Sequence, residues 1–128
     1  MSKKIPYWEP VIDQKDYKSL SKVFKQNFVN QGPLNERFEN KIKKIFDTKY
    51  VVTTNNCTTS IFLALKGIKL NYNDEVVVPN LTWIAVANAV KLAGGKVVLC
   101  DVNDKDNNID FEKLKKIINK KTKAVIYV

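Results

Sequence analysis

Along the first 47 residues apolar side chains recur at three- and four-residue steps. Tyr17, Leu20, Val23 and Phe24 form one such stripe, which predicts an amphipathic helix over 13–26 with Asp13 as its cap. The Gly32-Pro33 pair marks 27–33 as a loop, and Leu34, Phe38, Ile42 and Ile45 then make a second stripe, a helix ending near Asp47. Beyond it the period shortens. Residues 50–53, 75–78, 96–100 and 124–128 are short apolar runs that predict strands, and helices are predicted between them over 58–66, 82–92 and 111–119. Strands apolar on both faces and separated by helices imply a mainly parallel sheet with helices on both faces. The expected fold class is therefore α/β, preceded by N-terminal helices. The domain division is 1–47 as a helical segment and 48–128 as the first half of a larger α/β domain. Val128 closes an apolar strand without the polar linker that usually marks a boundary, so the chain is expected to be truncated inside that domain.

Composition narrows the class. The chain has 128 residues, 45% hydrophobic and 27% charged, which suits a globular domain rather than a disordered one. It contains no apolar run long enough to span a bilayer and no secretory signal pattern at its start, so the expectation is a cytoplasmic protein without a membrane partner. Cys57 and Cys100 stand far apart without C-x-x-C spacing, as reduced thiols rather than a zinc site. The net charge of +9 comes from scattered lysines with Arg37 as the single arginine, a solvated surface rather than a nucleic-acid stripe. There is no histidine, which removes the usual serine triad and histidine-held metals. Neither common nucleotide-binding glycine signature occurs.

In parallel sheets ligands collect at the carboxyl ends of strands, where loops enter helix amino termini. The first such loop is Thr54-Asn55-Asn56-Cys57-Thr58-Thr59-Ser60. Its backbone N–H groups and the hydroxyls of Thr58, Thr59 and Ser60 suit a phosphate, although Thr58 or Asn56 acting as an ordinary cap accounts for the same residues. The second loop, Pro79-Asn80-Leu81-Thr82-Trp83, brings an indole to the start of a helix, either to stack on an aromatic ligand or to fill the core. Asp101, at the end of the third strand, is placed either to meet a ligand or to cap a turn.

Taken in order, these blocks resemble the DegT/DnrJ/EryC1/StrS family of pyridoxal-phosphate enzymes, mostly aminotransferases acting on nucleotide-linked keto-sugars. The resemblance starts at Ile5-Pro6-Tyr7, Glu9-Pro10, Gln31-Gly32-Pro33 and Phe38-Glu39. It becomes specific at Asn56-Cys57-Thr58-Thr59-Ser60-Ile61 and Leu63-Ala64-Leu65. It continues through Asp74-Glu75-Val76-Val77-Val78-Pro79, Thr82-Trp83, Asn88-Ala89, Gly94-Gly95, Asp101 and Thr122-Lys123-Ala124-Val125. Cys57 stands where the family more often has glycine, and Asn73 replaces a glycine before Asp74.

The resemblance implies part of the large domain of a type I aminotransferase, with pyridoxal 5'-phosphate as cofactor. By it, Cys57, Thr58 and Thr59 hold the cofactor phosphate and Trp83 stacks on the pyridine ring. The stretch 28–31 resembles one lying near cofactor and substrate. The aspartate that pairs with the pyridinium nitrogen and the Schiff-base lysine both fall beyond residue 128, so no catalytic residue is assigned and the isolated chain is expected to be inactive. The resemblance also implies a nucleotide-linked keto-sugar and an amino donor such as glutamate as partners. It further implies a homodimer in the full-length form, and a place in amino-sugar synthesis for surface polysaccharide. A sugar dehydratase of the same fold and a non-catalytic nucleotide-binding α/β domain are the alternatives.

In the family the first strand of the large domain is separated in space from the next three by strands that come later in sequence. Residues 50–53 are thus expected to lack neighbours, and the 128-residue chain alone to be marginally stable and prone to associate. Sedimentation velocity checks this: a monodisperse monomer that also melts cooperatively contradicts it.

Overall fold

The computed structural model describes residues 5, 6, 8–26 and 30–128. These fall into two compact units, 1–52 and 53–128. The predicted loop over 27–33 and the stretch 28–31 lie partly outside the described residues.

In the first unit, α1 (Gln14–Lys25) and α2 (Pro33–Phe46) are the two helices foreseen from the apolar stripes. Asp13 caps α1 reciprocally: its carboxylate accepts from the N–H of Lys15 at 2.6 Å and of Asp16 at 3.2 Å, and Asp16 Oδ2 accepts from the N–H of Asp13 at 2.9 Å. Pro33 occupies the first turn of α2, where its missing N–H costs nothing, and Asp47 ends that helix in the left-handed region at φ 47°. Neither helix contains a buried residue.

The second unit runs α3 (Cys57–Gly67), β1 (Glu75–Pro79), α4 (Ala85–Ala93), β2 (Lys96–Cys100), α5 (Phe111–Ile117) and β3 (Thr122–Val125). The three strands are parallel in the order β2-β1-β3. Alternation along β1 sends side chains to both faces. Val76 and Val78 pack with Leu65, Val86, Val90 and Ala93 of α3 and α4, whereas Val77 packs with Cys100, Ile109 and Leu114 beneath α5. All three valines are fully buried, and helices cover both faces as expected.

Two glycines shape the turn between α4 and β2. Gly94 ends α4 at φ 95°, a conformation few side chains tolerate, and Gly95 leaves room for Leu70, whose side chain a Cβ at 95 would overlap. Asn73, by contrast, has no positive φ and needs no glycine.

Several expected boundaries move. Residues 50–53 form no strand, and Tyr50 and Val52 stand exposed; the sheet's ladder among the described residues belongs to β1, β2 and β3 alone. The last strand spans 122–125 rather than 124–128, because the register shifts between Glu75 and Val76 and brings Thr122 opposite Glu75. Ile126 still donates to Val77 O at 2.9 Å. Helix α4 starts at Ala85 rather than at 82, so Trp83 lies on the preceding loop. Helix α5 ends at Ile117, since Asn119 turns away to organise the entry to β3.

At the amino rim of the sheet, Glu75 is the buried charged residue of the core. Its carboxylate accepts from Asn119 Nδ2 at 2.8 Å and from Lys96 Nζ at 3.1 Å, tying β1 to β2 and to the turn before β3. The bonds from Asn119 and Lys96 hold its pKa below the ordinary carboxylate value. A carboxylate stabilised in the folded state contributes stability above its unfolded pKa, about 4.3, and loses it as pH falls through the lowered folded value. Glu75→Gln is therefore expected to melt below the parent at pH 7. The gap should narrow in acid, and thermal melts by circular dichroism between pH 3 and pH 7 measure it.

Candidate functional site

Chain direction determines which end of the second unit can hold a ligand. Helix α3 leads through residues 68–74 into the amino end of β1, while Ile61 and Leu65 pack along the face made by Val76 and Val78. It therefore runs back along the sheet, and eleven residues at ~1.5 Å each match the height of a five-residue strand. Its amino terminus thus reaches the carboxyl rim, where β1 ends at Pro79 and β2 at Cys100.

The turn entering α3 is held by its own side chains. Asn56 is the cap, its Oδ1 accepting from the N–H of Thr59 at 2.9 Å. Thr54 Oγ1 donates to Asn56 O at 2.9 Å, and Ser60 Oγ bonds to Thr54 Oγ1 and to Asn56 O. Ser60, expected among the ligand donors, therefore belongs to the loop's internal framework. Capping and phosphate binding are also not alternatives here, because they use different residues. Asn56 satisfies Thr59 N–H, and the N–H groups of Cys57 and Thr58 are those a helix start leaves open. Cys57 is exposed, and Thr58 and Thr59 are half-buried. Neither threonine hydroxyl has a hydrogen-bond partner among the described residues. No acidic residue occupies the first turn, so nothing offsets the helix's partial positive charge.

Trp83 lies on the loop from β1 to α4, leaves the carboxyl rim with Asn80, and is 78% exposed. Among the described residues this indole fills no core. The two loops enter neighbouring helices, with Ile61 and Phe62 of α3 and Val86 and Ala87 of α4 meeting one apolar cluster. Cys57, Thr58 and Thr59 thus share one helical turn, and Trp83 stands on the next loop of the same rim.

Asp101 caps no local turn with its carboxylate, which instead joins two other elements. Its carboxylate accepts from Asn80 Nδ2 and, at 3.1 Å, from Lys113 Nζ. This bridge holds the Lys113 pKa above its ordinary value. No local pattern signals this contact, because residues 80 and 101 become neighbours only through the register that sets Pro79 beside Cys100. Beyond Asp101 the polar groups pair with one another: Asn103 Oδ1 accepts from the N–H of Lys105 and Asp106, and Asp106 Oδ1 from that of Asn108. Asp110 caps α5. Among the described residues there is no group of three metal-binding side chains and no helix long and apolar enough to cross a membrane.

Asn56→Ala removes the cap and is expected to lower stability by about 1 kcal/mol. Urea unfolding followed by circular dichroism checks it, and an unchanged midpoint rules out the capping bond.

The DegT/DnrJ/EryC1/StrS aminotransferase family model matches residues 10–128. The chain is 31% identical over 124 residues to the spore coat polysaccharide biosynthesis protein SpsC of Bacillus subtilis, covering 97% of this chain and 32% of that protein. It is 31% identical over 125 residues to the GDP-perosamine synthase of Vibrio cholerae, covering 97% and 34%. The solved GDP-4-keto-6-deoxy-D-mannose-3-dehydratase of E. coli with bound hydrated PLP superposes with a TM-score of 0.87 at 25% identity, covering 97% of this chain and 33% of the other. The chain spans about a third of the length of the curated relatives it matches. With the family pattern running from residue 10 through residue 128, and the same fold in a solved relative, this chain belongs to the DegT/DnrJ/EryC1/StrS aminotransferase family.

Proposed function

We propose that residues 54–60 and Trp83 form the phosphate-binding and ring-stacking part of a pyridoxal-phosphate seat in an aminotransferase acting on a nucleotide-linked keto-sugar. The carrying observation is the start of α3, with the hydroxyls of Thr58 and Thr59 left without hydrogen-bond partners among the described residues and no carboxylate in the first turn. This donor set fits a phosphate dianion: open N–H groups, two hydroxyls and the positive end of a helix dipole. It fits poorly to a metal ion, which needs anionic or imidazole donors.

Bound there, pyridoxal phosphate supplies an electron-withdrawing ring that stabilises negative charge on the carbon beside the substrate nitrogen. The residues of this chain hold and orient. Cys57 and Thr58 donate backbone N–H groups to the phosphate, and the Thr58 and Thr59 hydroxyls add further donors. The small Cys57 side chain lets the phosphate approach the backbone. Trp83 covers one face of the ring and keeps water from it. The lysine that bonds covalently to the coenzyme and the aspartate on its ring nitrogen belong, by the family resemblance, to the part of the relatives beyond the matched third. On this reading residues 1–128 alone turn over no substrate.

The keto-sugar reading draws support from relatives named for perosamine synthesis and for spore coat polysaccharide. It carries with it glutamate as the amino donor and a homodimeric, cytoplasmic enzyme of surface-polysaccharide synthesis. A dehydratase is the second reading, favoured by the match to the E. coli 3-dehydratase. The two share this seat and differ at the covalent lysine.

Pyridoxal phosphate titrations on the protein that carries this chain test the seat. Thr58→Ala removes a charge-assisted hydrogen bond of about 1.5–3 kcal/mol, so affinity is expected to drop roughly tenfold or more. Trp83→Ala is expected to cost about 0.5–1.5 kcal/mol of stacking. Unchanged affinity in both variants sinks the assignment.

A further inference from the structure

Among the described residues most of the surface of Trp83 is uncovered, so packing within this chain does not set where the indole stands. Its placement depends on the backbone of residues 80–84. That segment is fastened at both ends. The N–H of Asn80 donates to Cys100 O at 2.8 Å, and the N–H of Val86 donates to Trp83 O at 3.1 Å, joining the loop to the first turn of α4. A third tie is made by side chains: Asn80 Nδ2 donates to Asp101 Oδ1, while Asp101 Oδ2 accepts from Lys113 Nζ at 3.1 Å. Lys113 comes from α5 and lies 4.0 Å from Asp110, the cap of that helix.

The geometry points to Asp101 as a positioning residue that acts through Asn80 to set the direction of the Trp83 loop, with Lys113 fixing the carboxylate. The backbone bond from Asn80 N–H to Cys100 O anchors the start of the loop at one point. The second bond, from the side chain of the same residue to Asp101, the residue that follows β2, adds a second anchor there. Lys113 matters because it occupies the other carboxylate oxygen, so that Oδ1 stays turned to Asn80. The Asp101–Lys113 pair is about half exposed, and such pairs add little to global stability. Its effect is thus local. A consequence for coenzyme affinity rests on the proposed seat, whereas the effect on Trp83 does not.

The test uses the protein that carries this chain, grown with 5-fluorotryptophan, with the Trp83 fluorine signal identified by its absence in Trp83→Phe. Asn80→Ala and Asp101→Ala are each expected to shift and broaden that signal with the melting temperature unchanged, and the double variant to go no further than either single. Asp101→Asn, which keeps an oxygen for the Asn80 amide, is expected to restore the parent signal in large part. Pyridoxal phosphate affinity should fall about three- to tenfold in Asp101→Ala, as partial loss of an aromatic stack implies. An unmoved Trp83 signal in Asp101→Ala overturns the inference, as does equal broadening at every tryptophan. If the signal moves as expected but pyridoxal phosphate leaves it undisturbed in the parent, the positioning role stands and the coenzyme seat is refuted.

Discussion

The dry central strand is the constraint from which the second unit follows. Val76, Val77 and Val78 are fully buried, which demands a strand on each side for their backbone groups and a helical layer over each face for their side chains. Each such valine contributes about 1.5–3 kcal/mol by leaving water. The sheet order β2-β1-β3 satisfies the ladder, and α3 with α4 on one face and α5 on the other supply the covering layers.

Parallel strands make the two rims of the sheet unlike. At the amino rim, Glu75 gathers Lys96 and Asn119, so the entries to β2 and β3 are locked to β1 by charge and hydrogen bonds. At the carboxyl rim Asn80, Asp101 and Lys113 tie the ends of β1 and β2 to α5, and the loops beyond turn outward into helix starts. The buried carboxylate thus stands at one end, and the open helix start and the exposed ring at the other. Glu75 and Trp83 stand at opposite ends of that division of labour.

The candidate seat is built from groups that the fold does not otherwise use. Asn56, Thr54 and Ser60 complete the turn among themselves, so the helix start is supported without the hydroxyls of Thr58 and Thr59. Trp83 differs, being held by its loop rather than by a packed wall. That loop is joined through Asn80 to the carboxylate of Asp101, which follows β2.

Local pattern determined the elements whose causes are local. The caps at Asp13 and Asn56, the apolar period of α1 and α2, and the continuous apolar runs of β1 and β2 were all readable, because each rests on neighbours within a few residues. The ordered motifs around Cys57, Thr58, Thr59 and Trp83 marked the candidate site from the sequence as well. Tertiary structure decided the rest. Residues 50–53 have the composition of a strand and do not form one, since a strand exists only where a ladder accepts it. Trp83 proved to precede α4, and Asp101 proved to bind Asn80 and Lys113. The Asn80–Asp101 contact joins residues 21 positions apart through the register of β1 and β2, which no local period encodes.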